Sequence, residues 1–193
     1  MTHKTGLEDY YIIRNNRKMR FGYTTGTCAA AASEAAARML LSGEEIRDIS
    51  FMTPKGILLN LEILHIEKGE DFVSCAVRKD AGDDPDMTDG LEIFSIVKKI
   101  RDSKIVLDGG PGVGRVTKKG LEQPVGSAAI NKVPRSMILK AAEDICSEYD
   151  YEGGLEIIIS VPNGEEAAKK TFNPRLGIQG GISILGTSGI VEP

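Results

Sequence analysis

Apolar and polar positions repeat along the chain with two different periods, and the change of period marks the elements. Residues 29–41 are almost uniformly small and apolar, with seven alanines, a composition of strong helix propensity. Thr25 or Thr27 is expected as the N-cap of this helix and Gly43 as its stop. A stripe of such small side chains lets a helix lie close against a sheet. A period of two runs through residues 57–64, which alternate around Asn60 and Glu62, and through residues 72–77, where Val73, Cys75 and Val77 share a face. Residues 91–100 are rich in β-branched and aromatic side chains, and residues 104–107 and 155–161 read as further strands. Pro134 suits the first turn of a second helix reaching about Glu148, with Met137, Ala141, Ile145 and Ile138, Ala142, Tyr149 on its apolar side. Residues 165–170 predict a short helix. Residues 10–13 predict an edge strand, followed by Arg14, Arg17, Lys18 and Arg20 as a solvated basic face. Strands outnumber helices without strict alternation. The pattern therefore predicts an α+β fold, a mixed sheet with helices packed mainly on one side. Residues 1–19 read as an arm and 20–193 as the α+β domain.

Composition narrows the function classes. The chain has 193 residues, 24 basic and 28 acidic side chains, a net charge of −4 and 41% apolar content. That supports a folded core and gives no general attraction to nucleic acid. No run approaches the roughly 18 apolar residues of a membrane span, and the first ten residues lack a signal-peptide core. Cys28, Cys75 and Cys146 are odd in number and widely spaced, which argues against a disulfide framework or zinc site and sets a reducing cytoplasm as the default. No metal ligands are predicted. His3 and His65 are the sole histidines, and His65 is expected as a surface or hydrogen-bonded strand residue.

The 22 glycines fall into clusters, and four segments become candidates. In Gly22-Tyr23-Thr24-Thr25-Gly26-Thr27-Cys28, a helix start with Thr24, Thr25, Gly26 and Thr27 offers amides and hydroxyls to a phosphate or carboxylate, or is simply a capped turn. Cys28 is expected as a buried small hydrophobe. Residues 79–90 hold five aspartates. Asp80, Asp83 and Asp84 are candidate proton acceptors or ribose contacts, on the expectation that crowded carboxylates raise one another's pKa; the loop also reads as Asx turns, or as pairing with Lys79. The calcium-loop pattern is not met. Asp108, Gly110, Gly112 and Gly114 suggest a cofactor loop, but no helix follows, so a Rossmann site is excluded. A backbone-lined binding loop and a glycine hairpin both remain. Residues 173–189, with Arg175, Gly180 and Gly181, suit an extended segment near a ligand or another backbone, Arg175 being able to fork onto a carboxylate. The helix start also lacks a Walker lysine, which disfavours a kinase.

Taken in order, FGYTTGTCAAAA, KDAGDDPD, GGPGVGRVTKKGL, AINKVPR and NPRLGIQGGISILGTSGIVEP resemble the cobalt-precorrin-5B carbon-1 methyltransferase family (CbiD) of anaerobic cobalamin biosynthesis, from about Arg20 to Pro193. Asp89 stands where the family pattern leads one to expect a histidine or another residue, and Lys132 replaces a frequent proline. The resemblance implies methyl transfer from S-adenosylmethionine (SAM) to carbon 1 of a cobalt corrinoid, cobalt being part of the substrate alone. It also implies that the chain is an N-terminal portion, lacking the family's C-terminal domain. Its partners would then be the corrinoid and either that C-terminal half or further copies of itself, with no nucleic acid or membrane. Arg20, Arg115, Arg135 and Arg175 are expected to meet the substrate's carboxylate arms. An alternative is a non-catalytic corrinoid cradle, with SAM held by the absent half. Both readings require glycine-bared main-chain donors from distant segments to line one common hollow.

Overall fold

The computed structural model describes residues 2–193. The chain opens with a hairpin of β1 (Tyr11–Arg14) and β2 (Arg17–Arg20), then β3 (Gly22–Tyr23) and helix α1 (Thr25–Ser42). The cap of α1 is Thr24, not Thr25 or Thr27: its hydroxyl accepts from the Thr27 N–H. The helix thus starts one turn earlier than its alanine run suggests. Gly43, in the left-handed region at φ 76°, ends it and donates to Met39 O.

Next come β4 (Asp48–Met52) and β5 (Leu58–Glu62), a separate ribbon whose Ile49, Phe51, Leu59 and Leu61 are buried. The predicted strand 57–64 therefore ends early, and β6 (Leu64–Lys68) begins in another sheet. Strands β7 (Phe72–Arg78), β8 (Glu92–Ile100) and β9 (Ile105–Gly109) follow. The two-residue strands β10 (Gly112–Val113) and β11 (Arg115–Val116) lead to α2 (Lys132–Glu148). The chain closes with β12 (Gly154–Ser160), α3 (Gly164–Ala168), α4 (Asn173–Leu176), β13 (Ile178–Gln179), β14 (Gly181–Ile182) and β15 (Ile190–Val191).

The main sheet has order β6-β7-β8-β12-β9, antiparallel except for the β12–β9 pair. Val73, Cys75 and Val77, opposite Val97, Ser95 and Ile93, and with Leu155, Ile157 and Ile159, form its buried face. Helix α1 lies on β7 and β8, and α2 packs on α1 through Ile138, Ala142 and Ile145. Alanines bring α1 so near the sheet that Ser33 Oγ lies 2.8 Å from Ser95 Oγ, and Cys75 Sγ reaches Ala32 O. The fold is the expected mixed-sheet α+β arrangement, and β9 leads into no nucleotide-binding helix.

The short strands tie the glycine segments together. β15 pairs with β3, β14 with β10, and β13 with β11. The C-terminal stretch thereby fastens the start of α1 to the glycine hairpin.

Candidate functional site

Beside this knot opens a cleft of about 420 Å³. The acidic loop supplies Lys79, Asp84, Asp86 and Thr88; the start of α1 supplies Thr24 and Thr25; the C-terminal stretch supplies Ile182, Ser183, Leu185 and Gly186. Phe172, Asn173 and Leu176 close it from the α4 side, Phe172 being 74% exposed. The three sequence regions that stood out at 22–28, 79–90 and 173–189 thus meet in one hollow.

Its walls are side chains rather than bared amides. Gly26 N–H donates to Leu185 O at 2.8 Å, Thr24 N–H to Gly189 O at 3.1 Å, and Thr27 Oγ1 to Gly189 O at 2.8 Å. Leu185 N–H in turn donates to Thr25 Oγ1. The N–H groups of Gly26, Thr27 and Cys28 are taken up by the chain itself, as helix ends require, so these three donors do not face the cleft. Thr24 and Thr25 floor the cleft, while Gly26 and Thr27 are buried behind it. Cys28 is fully buried, and burial pushes its thiol well above the usual range.

Four of the five aspartates find partners within the fold. Asp80 takes a two-pronged bond from Arg20, at 2.9 and 3.1 Å, and the Gly82 N–H. Asp83 accepts Arg20 N–H, and Asp89 accepts Ala81 N–H at 2.8 Å. Asp86 binds Lys79 Nζ and accepts both Thr88 N–H and Thr88 Oγ1–H. Burial alone would raise the carboxyls of Asp80 and Asp86, but the Arg20 and Lys79 bonds and the Thr88 and Gly82 amides outweigh it. Both are held below the usual carboxylate range, opposite to the shift expected from mutual repulsion. Asp84 differs: half-buried on the cleft wall, its carboxylate has no hydrogen bond or ion pair among the described residues. Lys79, only 3% exposed at its side chain, gives the cleft a buried cation whose charge Asp86 answers.

The remaining sequence candidates lie elsewhere. Asp108 pairs with Arg115 at 2.8 Å, and that bond with the Gly109 amide holds its carboxyl below the usual range despite some burial. Arg115 also donates to Gly109 O, and Arg135 to Ile130 O and Ala128 O. Gly110, Gly112 and Gly114 sit in a packing seam, with Gly181 against Gly112. Arg175 and Gly180 are exposed outside the cleft. His65 pairs with Glu92 on the surface. Among the described residues, no group of three or more potential ligands could hold a metal ion, and no helix is long and apolar enough to cross a membrane.

Residues that line the cleft but that sequence reasoning passed over include Thr88, Phe172, Leu176 and Leu185. The signal for Phe172 and Leu176 was present: two large apolar side chains flank Asn-Pro-Arg, in a segment too short to bury them.

The profile of the CbiD family matches residues 12–193. The cobalt-precorrin-5B C(1)-methyltransferase of Ruminiclostridium cellulolyticum is 56% identical over 95% of this chain and 47% of its own length. The protein of the same name from Alkaliphilus metalliredigens is 54% identical over 95% and 48%. A crystal structure of the cobalamin biosynthesis protein cbiD from Archaeoglobus fulgidus superposes with a TM-score of 0.70 at 37% identity, covering 95% of this chain and 58% of that one. The chain spans about half the length of the curated relatives it matches.

Proposed function

The chain belongs to the CbiD family, and on that footing we propose that it forms the N-terminal part of a SAM-dependent enzyme that methylates carbon 1 of cobalt-precorrin-5B to give cobalt-precorrin-6A. The observation that carries this is the meeting of three of the five family-like segments around one cleft. The cleft suits a ligand that is partly apolar and partly cationic: its lining combines an unpartnered carboxylate at Asp84 with the apolar side chains of Phe172, Leu176, Ile182, Leu185 and Val191. SAM supplies a methyl group on a sulfonium for in-line transfer to the ring carbon, the S–CH3 bonding pair remaining on sulfur.

The protein's task is then chiefly alignment, which can contribute roughly 7–11 kcal/mol through orientation. Asp84 is assigned to the cation, or to the proton released at the ring. The Lys79–Asp86–Thr88 bonds hold the loop that carries Asp84. Asn173 fixes Ser183 and Gly181 O, at 3.1 and 3.2 Å, and so sets the opposite wall. Asp80 and Asp83, also read as acid–base candidates, are assigned structural bonds to Arg20. Thr24 and Thr25 hold the floor; Asp108, Arg115, Arg135 and the glycines 110, 112 and 114 hold the adjoining seam. We place the protein in the cytoplasm, where free thiols persist.

A second reading, favoured by the chain's spanning half of its relatives, is a corrinoid cradle whose SAM is bound by a C-terminal half. Calorimetry separates the two: S-adenosylhomocysteine binding to this chain rejects the cradle. For the main proposal, mass spectrometry should find one added methyl when cobalt-precorrin-5B and SAM meet the full-length family architecture containing this sequence. A folded enzyme giving no methylated product would contradict it. Asp84→Asn, which keeps shape and removes charge, should slow that turnover at least tenfold, by analogy with the loss of a positioned catalytic group.

A further inference from the structure

The β1–β2 hairpin carries charge that the fold leaves unanswered. Its turn residues Asn15 and Asn16 both have positive φ, 50° and 59°, the conformation of a two-residue turn matched to strand twist. The turn fixes Arg14 directly opposite Arg17, an arrangement that like charges destabilise. Both are exposed, and among the described residues neither makes an ion pair or a side-chain hydrogen bond. Lys18, beside them, lies over the Tyr11 ring at 4.0 Å. Arg14, Asn15, Arg17, Lys18 and Met19 line a cavity of about 420 Å³ closed by Asp83. Asp83 makes no ion pair with either arginine among the described residues; its Oδ2 accepts the Arg20 main-chain N–H, and its single charge stays in a wall that also carries three cations. By contrast, the guanidinium groups of Arg20, Arg115 and Arg135 are bound within the fold.

We propose that this cavity is a carboxylate-binding subsite, in which Arg14 and Arg17 receive acid arms of the macrocyclic substrate; this rests on the corrinoid reading above. The guanidinium fork matches a carboxylate, and a bound acid would remove the repulsion across the hairpin. The subsite and the main cleft share the acidic loop as a wall: Asp83 faces one hollow, and its neighbour Asp84 faces the other. A polyacidic ring can thus lie against the loop with its reacting edge on one side and its arms on the other.

The test is a fluorescence titration with uroporphyrin, a tetrapyrrole carrying acid arms on every ring. Arg14→Gln/Arg17→Gln should weaken binding about tenfold or more, since hydrogen bonds to charged groups are the strong class. Lys140→Gln/Lys169→Gln, removing equal charge from helices elsewhere, should change it twofold or less, the scale of screened surface charges. Without ligand, the arginine variant should melt no lower than the parent. The proposal is overturned if the parent chain does not bind uroporphyrin, if both double variants lose affinity equally, or if the arginine variant binds as the parent does. Uroporphyrin is read by binding alone, so a lost subsite and a failed methyl transfer are separate results.

Discussion

Residues 109–114 and 79–90 are both irregular connections beside the main sheet, yet they are built from opposite materials. In the first, main chain rests on main chain. A Cβ on Gly112 would lie 1.8 Å from Val161 O, and one on Gly181 would lie 2.1 Å from Gly112 O. Nothing can enter between strands that already touch. In the second, side chains brace the loop: Lys79 to Asp86 and Thr88, Arg20 to Asp80, and Asp89 to the Ala81 amide. Toward residues 20–23 this loop also rests main chain on main chain, a Cβ on Gly82 lying 2.4 Å from Arg20 O, but on its braced side a hollow remains, with Asp84 on its wall. Glycine density therefore marks where chains cross, whereas a charged loop with internal partners marks where a ligand has room.

Breaking the glycine seam should have the largest effect. Gly112→Ala forces a side chain into the Val161 carbonyl at φ +84° and should cost about 4 kcal/mol, the size reserved for severe core strain. A near-neutral shift in denaturation midpoint would show that the seam yields. Lys79→Met leaves the half-buried Asp86 carboxylate without its cation and should cost about 2 kcal/mol, below the range for a fully buried charge, read in the same unfolding experiment; an unchanged midpoint would mean that other groups brace the loop. Acid titration probes the same pair. Because Asp86 is held below its ordinary value of 3.8, its contribution is present above that pH and is lost as pH falls through the folded-state value. Asp86→Asn should flatten this acid limb of the stability curve; an identical limb would assign the loss to other carboxylates. Thr24→Ala, which removes one cap from α1, should cost about 1 kcal/mol and would be checked by thermal melting.

Much of the fold could be read from periodicity because its causes are local. The alanine run of α1, the Val73–Cys75–Val77 face and the Pro134 helix start each dictate their own element. Asp48–Met52 was missed as a strand: its partner is β5 alone, in a ribbon whose pairing depends on a turn and on burial against α1. The site was legible by segment and less so by residue. Thr24, Thr25 and Asp84 reach the cleft, but Gly26 and Thr27 do not, because the Leu185 and Gly189 carbonyls accept from the Gly26 N–H and the Thr27 hydroxyl. Contacts across some 160 positions of chain leave no trace in local pattern. Asp80 likewise inverts the direction expected from crowding, since its cationic partner, Arg20, becomes a neighbour only after folding; Asp86 follows the other reading of the loop, pairing with Lys79 seven residues away.

The most direct measurement is amide chemical-shift mapping of the isotopically labelled chain titrated separately with S-adenosylhomocysteine and with uroporphyrin. Shifts at Thr24, Thr25, Asp84, Ser183 and Gly186 with at least one of the two are the predicted result. Shifts confined to Gly110–Arg115, or none with either ligand, would contradict the assignment of the cleft as the site.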